Sequence, residues 1–291
     1  MAYGAKPTVR RLILGNMLKR ARLRAKVKVE TVTKATGVAV PTVYRHEGGI
    51  TAVKESLVHD YATLYGVTDP DEVLKWVKWA RKAKQRGPWA TSGTILGPTY
   101  EDYADAESLC VEMRVYELGV IHGLLQTKAY SQAVIDTDAT VHPADSARQA
   151  DLLKLREMRK EILYREQPLP PRIWAVLGEA AILTPPDPTD SKTHREQIEH
   201  LLKMGETQQA TIQILPMDTG LHTGLSGSFS ILTFDVNVDM VFREGYGDGS
   251  FLDDEERVRS YRVRYEALQG QALSPAASRR YLHKVHKQLV D

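Results

Sequence analysis

At 291 residues, 42% hydrophobic and 26% charged, the chain is long enough for one large or two ordinary domains, and its composition is globular rather than disordered. No stretch approaches the roughly 18 consecutive apolar residues of a membrane span, no apolar core follows the charged start MAYGAKPTVRR as in a secretory signal, and the single Cys110 has no companion for an internal disulfide or a zinc site; a cytoplasmic protein is expected. The formal net charge of +2 hides a division: residues 1–90 hold 18 Lys and Arg against 7 Asp and Glu, a net of +11, while residues 91–291 hold 21 against 30, a net of −9. Such asymmetry suggests a nucleic-acid-binding part joined to a part with another task; the competing reading is a solvated cationic face with no partner.

Residues 10–26, RRLILGNMLKRARLRAK, place Leu14, Met17, Leu18, Ala21 and Ala25 on one stripe among basic residues, which predicts an amphipathic helix. A short helix over about 29–36, a turn at Gly37 and a second short helix opening near Pro41 follow. Proline suits a first helical turn because its missing N–H would be unpaired there anyway. Gly48-Gly49 stops that helix. A fourth helix is predicted over about 52–65, ending at Gly66, and a fifth over about 71–86, capped by Asp69-Pro70 and carrying Val73, Trp76, Val77 and Ala80 on one face.

The stretch GPWATSGTILGPT, 87–99, has three glycines, two prolines and no charge, the composition of a domain boundary. Helices are then predicted over about 101–118, from near Leu125, and over about 144–166, the last with Leu152, Leu155, Met158 and Ile162 at helical spacing. PLPP at 168–171 ends it. Afterwards the period changes: RIWAVL, ATIQIL, SFSILTF and DMVFRE are short, rich in β-branched or aromatic residues and separated by Pro, Gly and Asp, which reads as strands. A helix over about 192–204 lies between the first two, and two more, about 253–270 and 275–288, close the chain. The expected architecture is an all-α, five-helix N-terminal helix-turn-helix bundle over 1–86, a linker over 87–99, and an α+β C-terminal domain over 100–291 with a small, mostly antiparallel sheet.

Two short helices joined at Gly37 match the helix-turn-helix geometry, in which the second helix enters the major groove by its N-terminal end. Glycine fits the turn because it adopts positive φ without a Cβ clash. Val32, Ala35, Val38 and Val43 fall where the bundle needs apolar groups, leaving Val40, Pro41, Thr42, Tyr44, Arg45 and His46 for the outside. Arg45, Thr42 and Tyr44 are candidates for base-edge contacts, since an arginine donates bidentately to guanine. Lys28, ahead of the first of the two helices, Lys34 and Lys54 are candidates for phosphate contacts, and Arg10 and Arg11 for a basic arm. Glu47 would repel DNA and is expected to bond within the bundle.

Leu14-Gly15, Leu18 and Arg22, then Thr33, Gly37, Val43, Glu47 and Gly49, then Leu64-Tyr65-Gly66-Val67 resemble the pattern of the Xre/Cro-type helix-turn-helix family across residues 12–66. Thr33 stands where that pattern has alanine, Val29 where it often has a phosphate-holding glutamine, and Ala39 and Pro41 where its recognition helix usually starts with Ser or Thr. Farther on, VIHGLLQTKAYSQAVI (120–135), REMRKEIL (156–163), RIWAVLGEAAIL (172–183), REQIEHLL (195–202), ATIQILPMDTGLHTGLSGSFSILTF (210–234) and ALSPAASRRYL (272–282) resemble actinobacterial, Streptomyces-type Xre regulators related to the developmental repressor WhiJ. Here His122 takes the place of the proline in the usual PGLLQT. The resemblance implies a DNA-binding regulator, most simply a repressor, whose C-terminal domain has no defined role. It also implies a small protein partner and an antitoxin-like relation to it. Helix-turn-helix repressors read inverted half-sites of double-stranded DNA as two-fold dimers, so a homodimer is expected.

In the C-terminal part, Glu179 after the apolar run WAVLG, His222 in the glycine-rich DTGLHTGLSGS, and Glu244 closing MVFRE are candidates to line a ligand or partner pocket, with Trp174 and Phe229 as its apolar wall. A hydrolase reading takes His222 as base and Ser226 or Ser228 as nucleophile, but no G-x-S-x-G elbow is present. The plain structural alternative has Glu179 capping the following AAIL segment and His222 making a loop hydrogen bond. His194 and His200 are six apart and share no helix face as i,i+4 ligands would, His283 and His286 sit among lysines near the terminus, and the loop 220–227 lacks the Lys-Ser/Thr ending of a phosphate-binding P-loop. No catalytic residue, metal or cofactor is therefore expected, and the leading reading is a sequence-specific regulator whose C-terminal domain senses a small molecule or binds a small protein.

Overall fold

The apolar periodicity of the N-terminal part folds as five helices: α1 (Val9–Arg24), α2 (Val29–Thr36), α3 (Val40–Glu47), α4 (Glu55–Leu64) and α5 (Pro70–Lys84). A computed structural model describes residues 7–89, 98–142, 145–245 and 249–289. They group into two units, one drawing on Met1–Gly93, Tyr100–Ala106 and Phe234–Val238, the other on Thr94–Thr99, Glu107–Thr233 and Asp239–Asp291.

In the first unit α1 packs against α3 and α5 and buries Val9, Ile13, Leu14, Met17 and Leu18. Gly15 permits the α1–α3 approach: a Cβ there would stand 2.5 Å from the Glu47 carbonyl oxygen. Beside that crossing, Arg22 Nε and Nη2 donate to the two Glu47 carboxylate oxygens at 2.6 and 2.9 Å, and Nη1 donates to the Val27 carbonyl at 3.1 Å. The expectation that Glu47 bonds within the bundle holds. Gly37 closes α2 with φ +72°, the left-handed conformation its turn requires. Ala25, the C-cap residue of α1, and Ala35 are exposed rather than on the core stripe; the short α2 seats its inner face with Val29 and Val32.

Two stretches from later in the sequence complete this unit. Arg10, proposed above as part of a cationic arm, is instead buried, with Nε and Nη2 donating to Asp105 at 2.7 and 2.8 Å. Burying an arginine is tolerated only with such a partner. Arg11 donates to the Ala83 carbonyl at 3.4 Å. Trp79, buried on α5, donates from its indole nitrogen to Asp235 at 2.8 Å and meets Phe234 edge to face.

The second unit is α+β. Its helices are α6 (Pro98–Leu109, all but Tyr100–Ala106 of which falls here), α7 (Lys128–Ala139), α8 (Ser146–Lys160), α9 (Glu179–Leu183), α10 (Ser191–Met204), α11 (Glu255–Gln271) and α12 (Pro275–Gln288). Its strands are β1 (Glu112–Glu117), β2 (Arg172–Gly178), β3 (Ala210–Leu215), β4 (Phe229–Thr233), β5 (Asp239–Arg243) and β6 (Ser250–Leu252). They form one sheet ordered β3-β2-β1-β4-β5-β6. The β1–β4, β4–β5 and β5–β6 pairs are antiparallel, while β1–β2 and β2–β3 run parallel, so the sheet is mixed.

The helix expected over about 101–118 is two elements. α6 stops at Leu109, and Glu112–Glu117 is a strand at the middle of the sheet. A strand covered on both faces buries residues of both parities, here Met113, Val115 and Tyr116, so it lacks the alternation that marks a half-exposed strand. In register, Tyr116 lies between Val176 and Phe229, and this row joins Ile231, Val241, Tyr265 and Leu268 in the core beneath α11. The long helix expected over about 144–166 ends at Lys160 and runs into a 3-10 turn at Glu161–Leu163. Its inner side holds Arg159, while Met158 is 42% exposed. Arg159 Nε pairs at 2.8 Å with Glu107, which is fully buried. His122 stands 3.6 Å from the same carboxylate and accepts at Nδ1 from the Leu124 N–H. Burial, then the Arg159 charge, holds this imidazole neutral, with its pKa brought down to about 3.

Removing one member of a buried ion pair strands the other, at a typical cost of about 3–5 kcal/mol. Glu47→Ala is therefore expected to lower the stability of the first unit by that order in urea unfolding of the full chain, followed by hydrogen exchange of the α1 and α3 amides. The double replacement Arg22→Met with Glu47→Leu is expected to recover most of the loss. A cost below about 1 kcal/mol for Glu47→Ala, the level of an exposed pair, contradicts this assignment.

Candidate nucleic-acid interface

An eight-residue helix turning about 100° per residue divides its side chains between two sides. In α3, Val43, His46 and Glu47 point inward and are buried, whereas Pro41, Tyr44 and Arg45 lie on the opposite arc and are exposed. Tyr44 is 56% exposed, well above the exposure of an aromatic that fills a core. Val40 and Thr42 are half-buried at the flanks. Neither α2 nor α3 has a side-chain cap at its N-terminus, so their first N–H groups are not satisfied by a neighbouring side chain.

His46 departs from the outward set. It is 5% exposed, its Nδ1 lies 2.9 Å from the Tyr61 hydroxyl, and its ring meets Tyr61 edge to face. Tyr61 in turn stacks on Tyr65 at 5.7 Å. Burial lowers the His46 pKa and raises that of Tyr61 to about 12, so both are neutral packing groups at ordinary pH. The physical reason is position: residue 46 follows Val43 by three, and that spacing returns it to the core side. Sequence pattern alone treated an imidazole as a surface group.

Lys28 stands at the N-cap of α2, Lys34 in its last turn and Lys54 at the N-cap of α4, and all three are exposed. α2 packs against both α3 and α4. Base-reading candidates on α3 and phosphate-holding candidates on its neighbours thus belong to one small bundle, with Arg10 removed from the set.

In the second unit, the five residues proposed as a pocket have different partners. Trp174 is half-buried against the core under α11, its carbonyl accepting from the Tyr265 hydroxyl at 2.8 Å. Glu179 accepts from the Met217 N–H at 2.7 Å and from the Tyr281 hydroxyl, tying the start of α9 to the loop after β3 and to α12. His222 caps a 3-10 turn by accepting from the Gly224 N–H at 3.2 Å, and its ring meets Tyr116. Phe229 is buried between Tyr116 and Tyr261. Among the described residues, no hydrogen bond joins His222 to either serine of the hydrolase reading: Ser226 donates to the Thr223 carbonyl, and Ser228 accepts from the Leu118 N–H. Only Glu244 of the five lines the cleft of about 580 Å³ bounded by Ser226–Ser228, Arg243–Gly245, Gly249, Ser250, Tyr261 and Arg264. Those lining residues come from three separate segments, so no local spacing in the sequence marks them. Behind Ser228, half-buried Glu117 has its carboxyl pushed up to about 8, by burial first and then by the Glu244 charge, while a hydrogen bond from Ser228 pulls it back.

A family model described as a domain of unknown function (DUF5753) matches residues 100–284, and one described as a helix-turn-helix domain matches residues 13–76. The helix-turn-helix match contains α2, α3 and α4 entire. Neither the curated proteins nor the solved structures hold a match. No described helix is long and apolar enough to cross a membrane.

The Glu117 shift has a defined sign. The unfolded carboxyl ionises near 4.5 and the folded one near 8, so folding binds a proton between those values. Its contribution to stability is complete below pH 4.5 and is lost as pH rises toward 8. Glu117→Gln, which stays neutral, is expected to stabilise the chain by about 1–3 kcal/mol at pH 8.5 and little at pH 4.5. Equal effects in urea melts at the two pH values contradict the shifted carboxyl.

Proposed function

The chain belongs to the family defined by the domain of unknown function DUF5753, here carried behind a helix-turn-helix domain, and we propose that it is a sequence-specific DNA-binding regulator of the Xre/Cro type. In this reading it represses, binding inverted half-sites of double-stranded DNA as a two-fold dimer. Its C-terminal domain receives a signal molecule or a small partner protein.

The observation that carries the reading is the division of α3. Val43, His46 and Glu47 are held inside by packing and by Arg22, while Pro41, Tyr44 and Arg45 face out to solvent, with no side-chain hydrogen bond or ion pair among the described residues. A guanidinium on the exposed arc of α3, here in its last turn, is suited to the O6 and N7 acceptors of guanine, and a tyrosine to a phosphate or a thymine methyl. Exposed Lys28, Lys34 and Lys54 supply the sequence-independent share of affinity. No comparable argument supports the hydrolase reading, whose candidate base and nucleophiles are each bonded elsewhere.

Binding sites selected from a random duplex pool with the full chain supply the operator for the test. On it, Arg45→Ala is expected to cost about 1–3 kcal/mol and to relax preference at one base position per half-site. Lys28→Ala and Lys34→Ala are expected to weaken all duplexes alike and to reduce the salt slope by about 1 each. Titrations at matched salt in which Arg45→Ala leaves affinity and site preference unchanged contradict the reading.

A further inference from the structure

We infer that the cleft between the turn ahead of β4, the ends of β5 and β6, and α11 is a binding site for a small phosphomonoester. Its volume of about 580 Å³ falls within the roughly 300–1,000 Å³ of small-molecule sites. Two arginines line it. Arg264 donates to the Ser226 hydroxyl at 3.5 Å, and Arg243 donates to the Ser250 hydroxyl at 3.2 Å. Neither guanidinium meets a carboxylate among the described residues. Arg262, two positions before Arg264 on the same helix, shows the contrast: it is paired with Asp239.

The site is stiff. Arg264 lies 4.8 Å from the centre of the Tyr261 ring, Tyr261 meets Phe229 edge to face at 4.9 Å, and Phe229 leans on the fully buried Tyr116. This aromatic series fixes the plane of one guanidinium before any ligand arrives, which lowers the entropy lost on binding. Tyr116 also lies directly under Gly224, in the turn that carries Ser226, so this turn is seated on the same aromatic series.

The charge balance selects the class. Two guanidinium forks offer more N–H donors than the two oxygens of a carboxylate accept, and they suit the three oxygens of a phosphate monoester. Glu244, on the same wall, leaves a net single positive charge from these three groups and provides an acceptor for hydroxyls on the ester's carbon skeleton. This inference deepens the regulatory reading, because it names the class of signal, but its first readout does not involve DNA.

The test is calorimetric titration of the full chain at fixed ionic strength with glycerol 1-phosphate, inorganic phosphate, acetate and glycerol. Glycerol 1-phosphate is expected to bind, inorganic phosphate more weakly, and acetate and glycerol not at all within the millimolar range. Arg243→Gln and Arg264→Gln are each expected to weaken the ester about tenfold or more, with Arg243→Lys intermediate because it keeps the charge and loses the fork. Arg279→Gln, at an exposed pair with Glu206 elsewhere on the unit, is the control and leaves binding unchanged. Absence of phosphate-ester binding, equal binding of acetate, or binding indifferent to both glutamine variants in folded protein overturns the proposal. Operator affinity measured separately, with and without the ester, keeps the two readings apart: a chain that binds the ester but no duplex loses the regulator and keeps this site.

Discussion

The orientation of α3 rests on one buried ion pair. Arg22 and Glu47 are both removed from water, and each would be costly alone. Together they form a planar fork-to-fork contact with a third hydrogen bond to the Val27 carbonyl. This arrangement depends on Gly15, since any side chain there would push α3 away from α1. With Glu47 fixed, the helical repeat places His46 and Val43 on the same inner side and turns Arg45 and Tyr44 out. The exposed face is therefore a consequence of what is buried. A charge that cannot face DNA has been used as the anchor that aims the residues beside it.

Much of the first unit was legible because its signals are local. Gly37, Gly48-Gly49, Gly66 and Asp69-Pro70 punctuate the chain where helices end or begin, and apolar spacing fills the intervals. His46 and Arg10 were misread for a common reason. Both carry polar groups that pattern reading assigns to the surface, and both find partners, Tyr61 and Asp105, far away in sequence. Nothing near residue 10 announces a carboxylate 95 positions later. In the second unit, RIWAVL and ATIQIL read plainly as strands because β-branched and aromatic residues are dense there. EMRVYE did not, since three of its six residues are charged in a segment that nonetheless occupies the middle of the sheet. The mixed pairing was also invisible: parallel neighbours are joined by helical crossovers, and sequence alone does not say which strands meet.

The candidate pocket shows the same limit from another side. His222, Glu179 and Phe229 are chemically suggestive, yet each is engaged in holding a turn, a loop or the core. The cleft that the fold does build takes its charge from Arg243 and Arg264, residues with no motif around them. What distinguishes them is that both line one cleft with no carboxylate partner among the described residues, whereas Arg159, Arg262 and Arg279 are paired outside it. Such a property exists only in three dimensions. The buried Glu107–Arg159 pair and its neighbour His122 are the interior counterpart: polar groups that stabilise packing and present nothing outward.

The central claim is that the outer arc of α3 meets the edges of base pairs. Hydrogen exchange of the full chain, with and without a duplex selected from a random pool at moderate salt, tests it most directly. The account predicts new protection concentrated over residues 40–45 with a second, weaker zone near Lys28 and Lys34, lost when an unselected duplex replaces the selected one. Protection confined to other surfaces, or identical with selected and unselected duplexes, would contradict it.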